Sequence, residues 1–173
     1  MVFNKYYRPR KVYSFEISEK LADQYVDVMK INNVPDDKYE IVPCGLSNKR
    51  DAVTFFDSAD TGTSLLNQGA NNAQVISVDE FVRDRDLKIG FLKIDVEGSG
   101  YEALKGATET IKRDRPIICF AVYHSPHEFF DSKFLLDEII ENLNYKVEYK
   151  SMQYRAYIAI EFVIFAYPAE LLS

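Results

Sequence analysis

Residues 91–107, FLKIDVEGSGYEALKGA, carry the densest run of structural signals in the chain. Together with Ile89 and Gly90 they make Ile89–Val96 almost continuously apolar, as a strand in a parallel sheet is when both of its faces are covered. Ser99 and Glu102 have the spacing of a capping box, so a helix is expected to open there and run to about Arg113, ahead of Pro116. Ile117–Tyr123 repeats the strand pattern, and Ser125, Pro126 and Glu128 then supply an N-cap, a first-turn proline and an N3 acid. The helix they open is expected to bury Phe130, Phe134, Leu135, Ile139 and Leu143.

Upstream of this stretch, Val12–Ile17 reads as a strand and Ser18 as the N-cap of a helix with Leu21, Tyr25, Val28 and Met29 on one face, ending near Asn32 and Asn33 before Pro35. Tyr39–Cys44 is the next strand, and the polar turn Asn48–Asp51 leads into Ala52–Phe56 as its antiparallel return. Asp60–Asn72 is a Gly, Asn, Thr and Ser-rich loop, Gln74–Val78 a short strand, and Asp79–Arg83 a helical turn. Downstream, Tyr145–Lys150 and Ile158–Tyr167 are joined by too few residues for a crossover helix, so they pair antiparallel. These segments predict a single domain over residues 11–173 preceded by an arm, residues 1–10. The expected class is α/β and Rossmann-like, a three-layer arrangement with a mostly parallel sheet, helices on both faces and a C-terminal antiparallel hairpin.

Composition narrows the class of function. The 173 residues are 47% hydrophobic and 14% aromatic, with seven glycines and six prolines, which excludes collagen-like, disordered and coiled-coil chains. Basic residues number 21 against 27 acidic ones, a net charge of −6 that argues against a nucleic-acid partner. The exception is local: Lys5, Arg8, Arg10 and Lys11 with Tyr6 and Tyr7 combine cations and rings as single-strand binders do, although beside Pro9 they read as a solvated arm. No apolar run is long enough for a membrane span or a signal peptide. Cys44 and Cys119 sit in apolar runs as buried free thiols, so a cytoplasmic protein without a membrane partner is expected.

Ser18, Ser99 and Ser125 each follow a strand closely, which puts them, with Glu16, Asp95, Glu97 and His124, at the carboxyl edge where open α/β folds bind ligands. Glu16 stands where a carboxylate accepts ribose hydroxyls, or is simply an acid stabilised by a helix N-terminus. Asp95 and Glu97 alternate about the strand end, with Gly98 and Gly100 turning the chain behind them. They suit a cofactor amine or a substrate hydroxyl, and Lys93 offers Asp95 a buried ion pair as the other explanation. His124 is a candidate general base that the adjacent helix N-terminus would keep neutral, or an edge histidine satisfied by hydrogen bonds. With His127 it also prompts a metal reading, for which no third ligand stands at a familiar spacing. Thr61, Thr63 and Ser64, beside Gly62, are loop hydroxyls that could cover the site.

At residues 91–107 the sequence resembles the FkbM family of S-adenosylmethionine-dependent methyltransferases, in which a strand ending KIDVEG precedes a helix carrying LKGA. VYSFEIS around Glu16, CGLSN at residues 44–48, TGTSLL, ISVDEF and AVYHSPHEFF follow the family order, so the resemblance spans about residues 11–167. It implies a class I methyltransferase fold with S-adenosylmethionine as cofactor and the hydroxyl of a sugar or small metabolite as acceptor. It further implies that Glu16 binds the ribose, that Gly45 and Leu46 flank the adenine, and that Asp95 faces the methionine end or the substrate. His124 is then the base or the group that orients the substrate. The sequence has no glycine before Gly45 and only fifteen residues before Glu16, which implies that the family's first strand, glycine-rich turn and helix are absent. Exposed strand edges would need repair. Val12–Ile17 is therefore expected to pair directly with Ile89–Val96, unless a homodimer or a second chain completes the sheet. A different class, a non-catalytic α/β scaffold for binding or assembly, stays open, while a nicotinamide-binding domain needs the same glycine fingerprint and leaves the C-terminal hairpin unexplained.

Overall fold

The structure, a computed structural model, describes residues 9–58, 62–64, 71–153 and 160–172. Lys5, Tyr6, Tyr7, Arg8 and Thr61 lie outside these residues, as does the start of the expected Ile158–Tyr167 strand.

Ten strands and five α-helices follow one another among the described residues. β1 (Val12–Phe15) leads to α1 (Glu19–Ile31), then β2 (Tyr39–Val42), β3 (Gly45–Leu46), β4 (Asp51–Ser58), β5 (Gly62–Ser64), β6 (Asn71–Ile76) and α2 (Val78–Asp84). β7 (Phe91–Ile94), α3 (Gly100–Lys105), α4 (Thr108–Asp114), β8 (Ile117–Ala121), α5 (Pro126–Ile140), β9 (Tyr145–Gln153) and β10 (Ile160–Pro168) complete the order.

The α/β class holds, with hydrogen bonding that divides the strands into three sheets. β1 and β2 pair in parallel, and β7-β8-β10-β9 and β3-β6-β4-β5 form two four-stranded sheets. In the first of these, β7 runs parallel to β8 with Ile94 opposite Phe120, and the antiparallel hairpin of β9 and β10 adds to β8 through β10. The expected C-terminal hairpin is therefore present. The return strand after Asn48–Asp51 does not pair with β2: β4 runs antiparallel to β5 and β6, and β3 joins the same sheet in parallel with β6.

Direct pairing of β1 with β7 does not occur. β1 pairs with β2 and β7 with β8, in separate sheets. Backbone pairing joins β1 to β2, and side chains dock β1 on α2. Tyr13 and Phe15 meet Phe81 of α2 edge-on at 5.3 and 4.9 Å, and Lys11 and Arg85 both pair with Glu40 of β2. That packing draws β1 to the flank of α2.

The two strands expected to be covered on both faces are covered fully on one. In β7, Leu92 and Ile94 are buried while Lys93 is exposed, and in β8 Ile118 and Phe120 are buried while Ile117 and Cys119 are half-buried. Cys44 and Cys119 are free thiols, both half-buried rather than fully so.

Ile94, Leu104, Ile111, Ile118, Phe120, Leu136 and Ile164 form the deepest part of the core. α5 turns a different side to it than its aromatic pattern suggests. Glu128, Ser132, Leu136, Ile139 and Ile140 are buried, while Phe130 and Phe134 are exposed, because the core side of the first turn is taken by the Glu128 carboxylate. On α1 the expected face is covered in part: Met29 is buried and Tyr25 half-buried, while Leu21 and Val28 are exposed.

The single helix expected from Ser99 to Arg113 is two. Ser99 makes no side-chain cap, and Glu102 bonds instead to the Asn48 side chain. A Cβ on Gly106 would stand 2.2 Å from the Ser47 carbonyl oxygen, so the chain approaches that backbone closely only with glycine there. Asp79 of α2 then starts α4 afresh, accepting the N–H groups of Thr110 at 2.7 Å and Glu109 at 3.1 Å. The complete capping box lies at Ser77 and Glu80, where α2 begins. Three of the quoted sequence motifs, CGLSN, ISVDEF and LKGA, thus meet in one structural joint.

Candidate active site

β7 and β8 are parallel neighbours, so the residues that follow them leave the sheet at the same edge. Asp95 follows β7 immediately, and Tyr123 and His124 follow β8 by two and three residues. The Val122 N–H bonds to the Phe162 carbonyl oxygen at 3.0 Å, which holds this exit against β10.

The side chains converge there. His124 Nε2 lies 3.5 Å from Asp95 Oδ1 and 3.8 Å from Glu97 Oε1. Lys93 Nζ pairs with Asp95 Oδ2 at 2.5 Å, and the Tyr123 hydroxyl stands 3.4 Å from Asp95 Oδ1. The Lys93–Asp95 pair is surface-facing rather than buried, since the two side chains are 58% and 32% exposed. Such a pair adds little stability and leaves Asp95 accessible.

The His124 side chain is 6% exposed, and its Nδ1 lies 3.3 Å from Oε2 of Glu128, four residues on in the first turn of α5. Neither atom is hydrogen-bonded, and the contact becomes an ion pair when His124 is protonated. Glu128 is fully buried, and its Oε1 accepts the Gly100 N–H at 2.6 Å. A Cβ on Gly100 would stand 2.8 Å from that same oxygen and from the Phe120 ring, so the loop after β7 can dock on Glu128 only with glycine at this position.

Helix polarity does not set the direction in which His124 is shifted. The Glu128 carboxylate beside Nδ1 raises its pKa above the ordinary value, with Glu97 and Asp95 adding to the rise and burial opposing it. Near carboxylates outweigh a helix terminus because full charges at 3 to 4 Å exceed partial charges of about half an electron. Burial, then the charge of Asp95, pushes the Tyr123 hydroxyl up to about 12, so it remains a neutral hydrogen-bonding group at physiological pH.

Glu16 stands at the carboxyl end of β1, in the two-stranded sheet. Its backbone N–H bonds to the Val42 carbonyl oxygen at 3.1 Å, and its Oε1 accepts the Ser18 N–H at 2.8 Å at the start of α1. Gly45 and Leu46 form β3 just beyond Val42. Leu46 is buried in the core, which leaves the backbone of this pair as what it can offer a ligand. Thr63 and Ser64 belong to β5. His127 leaves the cluster, pairing with Asp131 at 2.5 Å and packing on Tyr101. Among the described residues no three His, Cys, Asp or Glu side chains converge as a metal-binding set.

The structure therefore brings Asp95, Glu97 and His124 together, and holds Glu16 at the end of β1 and Gly45 and Leu46 in β3, which pairs with β6. Glu128 is the residue sequence reasoning missed. Its position three residues after an N-cap reads as helix capping and conceals the second relation, i to i+4 from His124.

Known proteins bear on this arrangement. A crystal structure of methyltransferase FkbM from Methylobacillus flagellatus KT superposes with a TM-score of 0.67 at 18% identity, covering 90% of this chain. The chain spans 36% of the length of that structure. At such identity the likeness establishes the fold. A putative methyltransferase from Streptococcus mutans in complex with SAH matches more loosely, with a TM-score of 0.48 at 9% identity over 91% of this chain and 76% of that one, and carries no argument. No curated protein matches. The sequence itself matches the family model for the methyltransferase FkbM domain over residues 1–155. With nine-tenths of the chain inside that match, it belongs to the FkbM methyltransferase family.

Proposed function

We propose that this chain transfers a methyl group from S-adenosylmethionine to a hydroxyl of a sugar or other small metabolite, with the reacting atoms held at the carboxyl ends of β7 and β8. The observation that carries this reading is the convergence of Asp95, Glu97 and His124 at one sheet edge in a member of a methyltransferase family. The donor set suits the cofactor. Asp95 and Glu97 present carboxylates toward which an ammonium or sulfonium is drawn, and Glu16 presents a carboxylate of the kind that accepts vicinal ribose hydroxyls. Gly45 and Leu46 would line the adenine with backbone.

When bound, S-adenosylmethionine supplies an electrophilic methyl carbon on sulfur. Everything else is orientation and proton removal by this chain's own residues. Asp95 is fixed from two sides by Lys93 and Tyr123, so its carboxylate can hold an acceptor hydroxyl in one orientation. His124 Nε2 faces the same space and takes the hydroxyl proton. The carboxylates that raise its pKa also stabilise the imidazolium it becomes.

Calorimetric titration of the chain with S-adenosylmethionine and with S-adenosylhomocysteine tests this. Saturable binding on the order of micromolar, weakened by Glu16→Ala, is expected. No heat up to millimolar ligand from a folded chain would overturn the reading and leave the non-catalytic scaffold in its place.

A further inference from the structure

Glu128 is a carboxylate without solvent exposure, and such a group is costly unless both oxygens find partners. Oε1 has the Gly100 N–H at 2.6 Å. Oε2 lies 3.3 Å from Nδ1 of His124, and neither of these two buried atoms has a hydrogen-bond partner among the described residues, so this close approach is what the carboxylate oxygen and the ring nitrogen have to work with. The Ser125 hydroxyl accepts the Glu128 N–H at 3.1 Å, so the first turn of α5 is fixed with the carboxylate beside the imidazole. Across the ring, Nε2 looks outward to Asp95 and Glu97.

We propose that Glu128 is a positioning residue that keeps a proton on Nδ1 of His124 and so presents Nε2 to the acceptor hydroxyl. A neutral imidazole has one N–H and one lone pair, and both nitrogens face carboxylates. Glu128 is the nearer and has no water to turn to, whereas Asp95 and Glu97 stand farther off and reach solvent, so the single hydrogen is assigned to Nδ1 and the lone pair to Nε2. The same division of labour operates wherever a buried carboxylate orients a catalytic histidine. The proposal rests on the methyl-transfer reading for its chemistry. There the acceptor O–H bond breaks and its proton goes to Nε2. The oxygen electron pair forms the new bond to the methyl carbon, and the electrons of the broken carbon–sulfur bond stay on sulfur. The resulting imidazolium lies between Glu128 and the pair Asp95 and Glu97.

The charges around the ring come from every element packed on it. Asp95 and Glu97 follow β7, Lys93 of β7 pairs with Asp95, the Tyr123 ring lies tilted against the His124 ring at 4.1 Å, Glu161 of β10 acts on Tyr123 through its charge, and Glu128 lies on α5. Removing Glu128 alone leaves the others in place, so the histidine keeps carboxylates at Nε2 and loses the one that sets its tautomer.

Nitrogen-15 NMR of the imidazoles in the ligand-free chain tests this, with His127→Gln assigning the two histidines. The neutral His124 is expected to carry its hydrogen on Nδ1. Glu128→Gln keeps an amide oxygen for the Gly100 N–H and turns its NH2 toward Nδ1. That variant is expected to lower the His124 titration midpoint by about one pH unit and move the neutral ring's hydrogen to Nε2. Wild-type protein with the hydrogen on Nε2 overturns the proposal even if the variant does not fold. An unchanged midpoint and tautomer in folded Glu128→Gln overturns it as well. Because no ligand is present, these outcomes are independent of whether the chain binds S-adenosylmethionine in the calorimeter.

Discussion

The ends of β7 and β1 both carry an acid, yet the two are held differently. Asp95 leaves a strand whose neighbour is β8, above a core of fully buried residues, and its cluster is backed by the buried Glu128. Glu16 leaves a two-stranded unit kept in place by two aromatic contacts to Phe81 and the Lys11, Arg85 and Glu40 pairs, and its carboxylate rests on the Ser18 N–H. Placing a reacting proton demands the first kind of support, because geometry must be kept within a fraction of an ångström. Gripping a ribose tolerates the second. The contrast predicts that the β7–β8 end resists change at high cost and that the β1–β2 end yields cheaply.

Core truncation is the harshest way to probe that contrast. Phe120→Ala empties a fully buried site beneath Gly100 and is expected to cost about 4 kcal/mol, whereas the half-buried Phe15→Ala costs about 1.5 kcal/mol, both read from urea unfolding. Equal losses would erase the distinction. Overpacking comes next: Gly100→Ala puts a methyl 2.8 Å from Glu128 Oε1 and the Phe120 ring, for about 2 kcal/mol, while Gly90→Ala, with nothing within 4 Å, should change the same unfolding midpoint little. At the joint between the two regions, Ser77→Ala removes the capping box of α2, and thermal unfolding should register about 1 kcal/mol.

Protonation of His124 gives a smaller effect with opposite signs for stability and rate. Its pKa is raised in the folded chain, chiefly by Glu128, so its stabilising contribution is complete below about 6.5 and is lost as pH rises through the higher folded value. Methyl transfer that uses the neutral ring rises over the same interval. Unfolding curves and initial rates measured across pH 6 to about 9 should therefore diverge; a rate that falls as His124 loses its proton would remove the base from the account. Smallest of all, Glu16→Gln should shift stability by no more than about 0.5 kcal/mol while weakening cofactor binding. A large loss of stability there would make Glu16 a helix cap and nothing more.

Much of this fold can be read from local pattern. Segments with a continuous apolar run or capping signals, such as Ile117–Ala121 and the Ser125-Pro126 helix start, lie where pattern puts them. Pattern fails where a distant partner decides. Asp79 splits the Ser99–Arg113 helix from another element, the Ser47 backbone claims Gly106, and Glu128 turns Phe130 and Phe134 outward by occupying the core side of α5. The site follows the same rule. Asp95, Glu97 and His124 are visible as polar residues at the ends of apolar strands, whereas Glu128 disappears into a capping motif and the docking of β1 on α2 rests on side-chain contacts between distant segments.

Whether the two strand ends act as one site is answered most directly by adding S-adenosylmethionine to nitrogen-15-labelled chain and following backbone amide shifts. A single site predicts that amides around Glu16 and Gly45–Ser47 shift together with those of Asp95–Gly100 and Tyr123–Ser125, all along one binding curve. Shifts confined to one of these groups, or none in a folded chain at millimolar ligand, would contradict it.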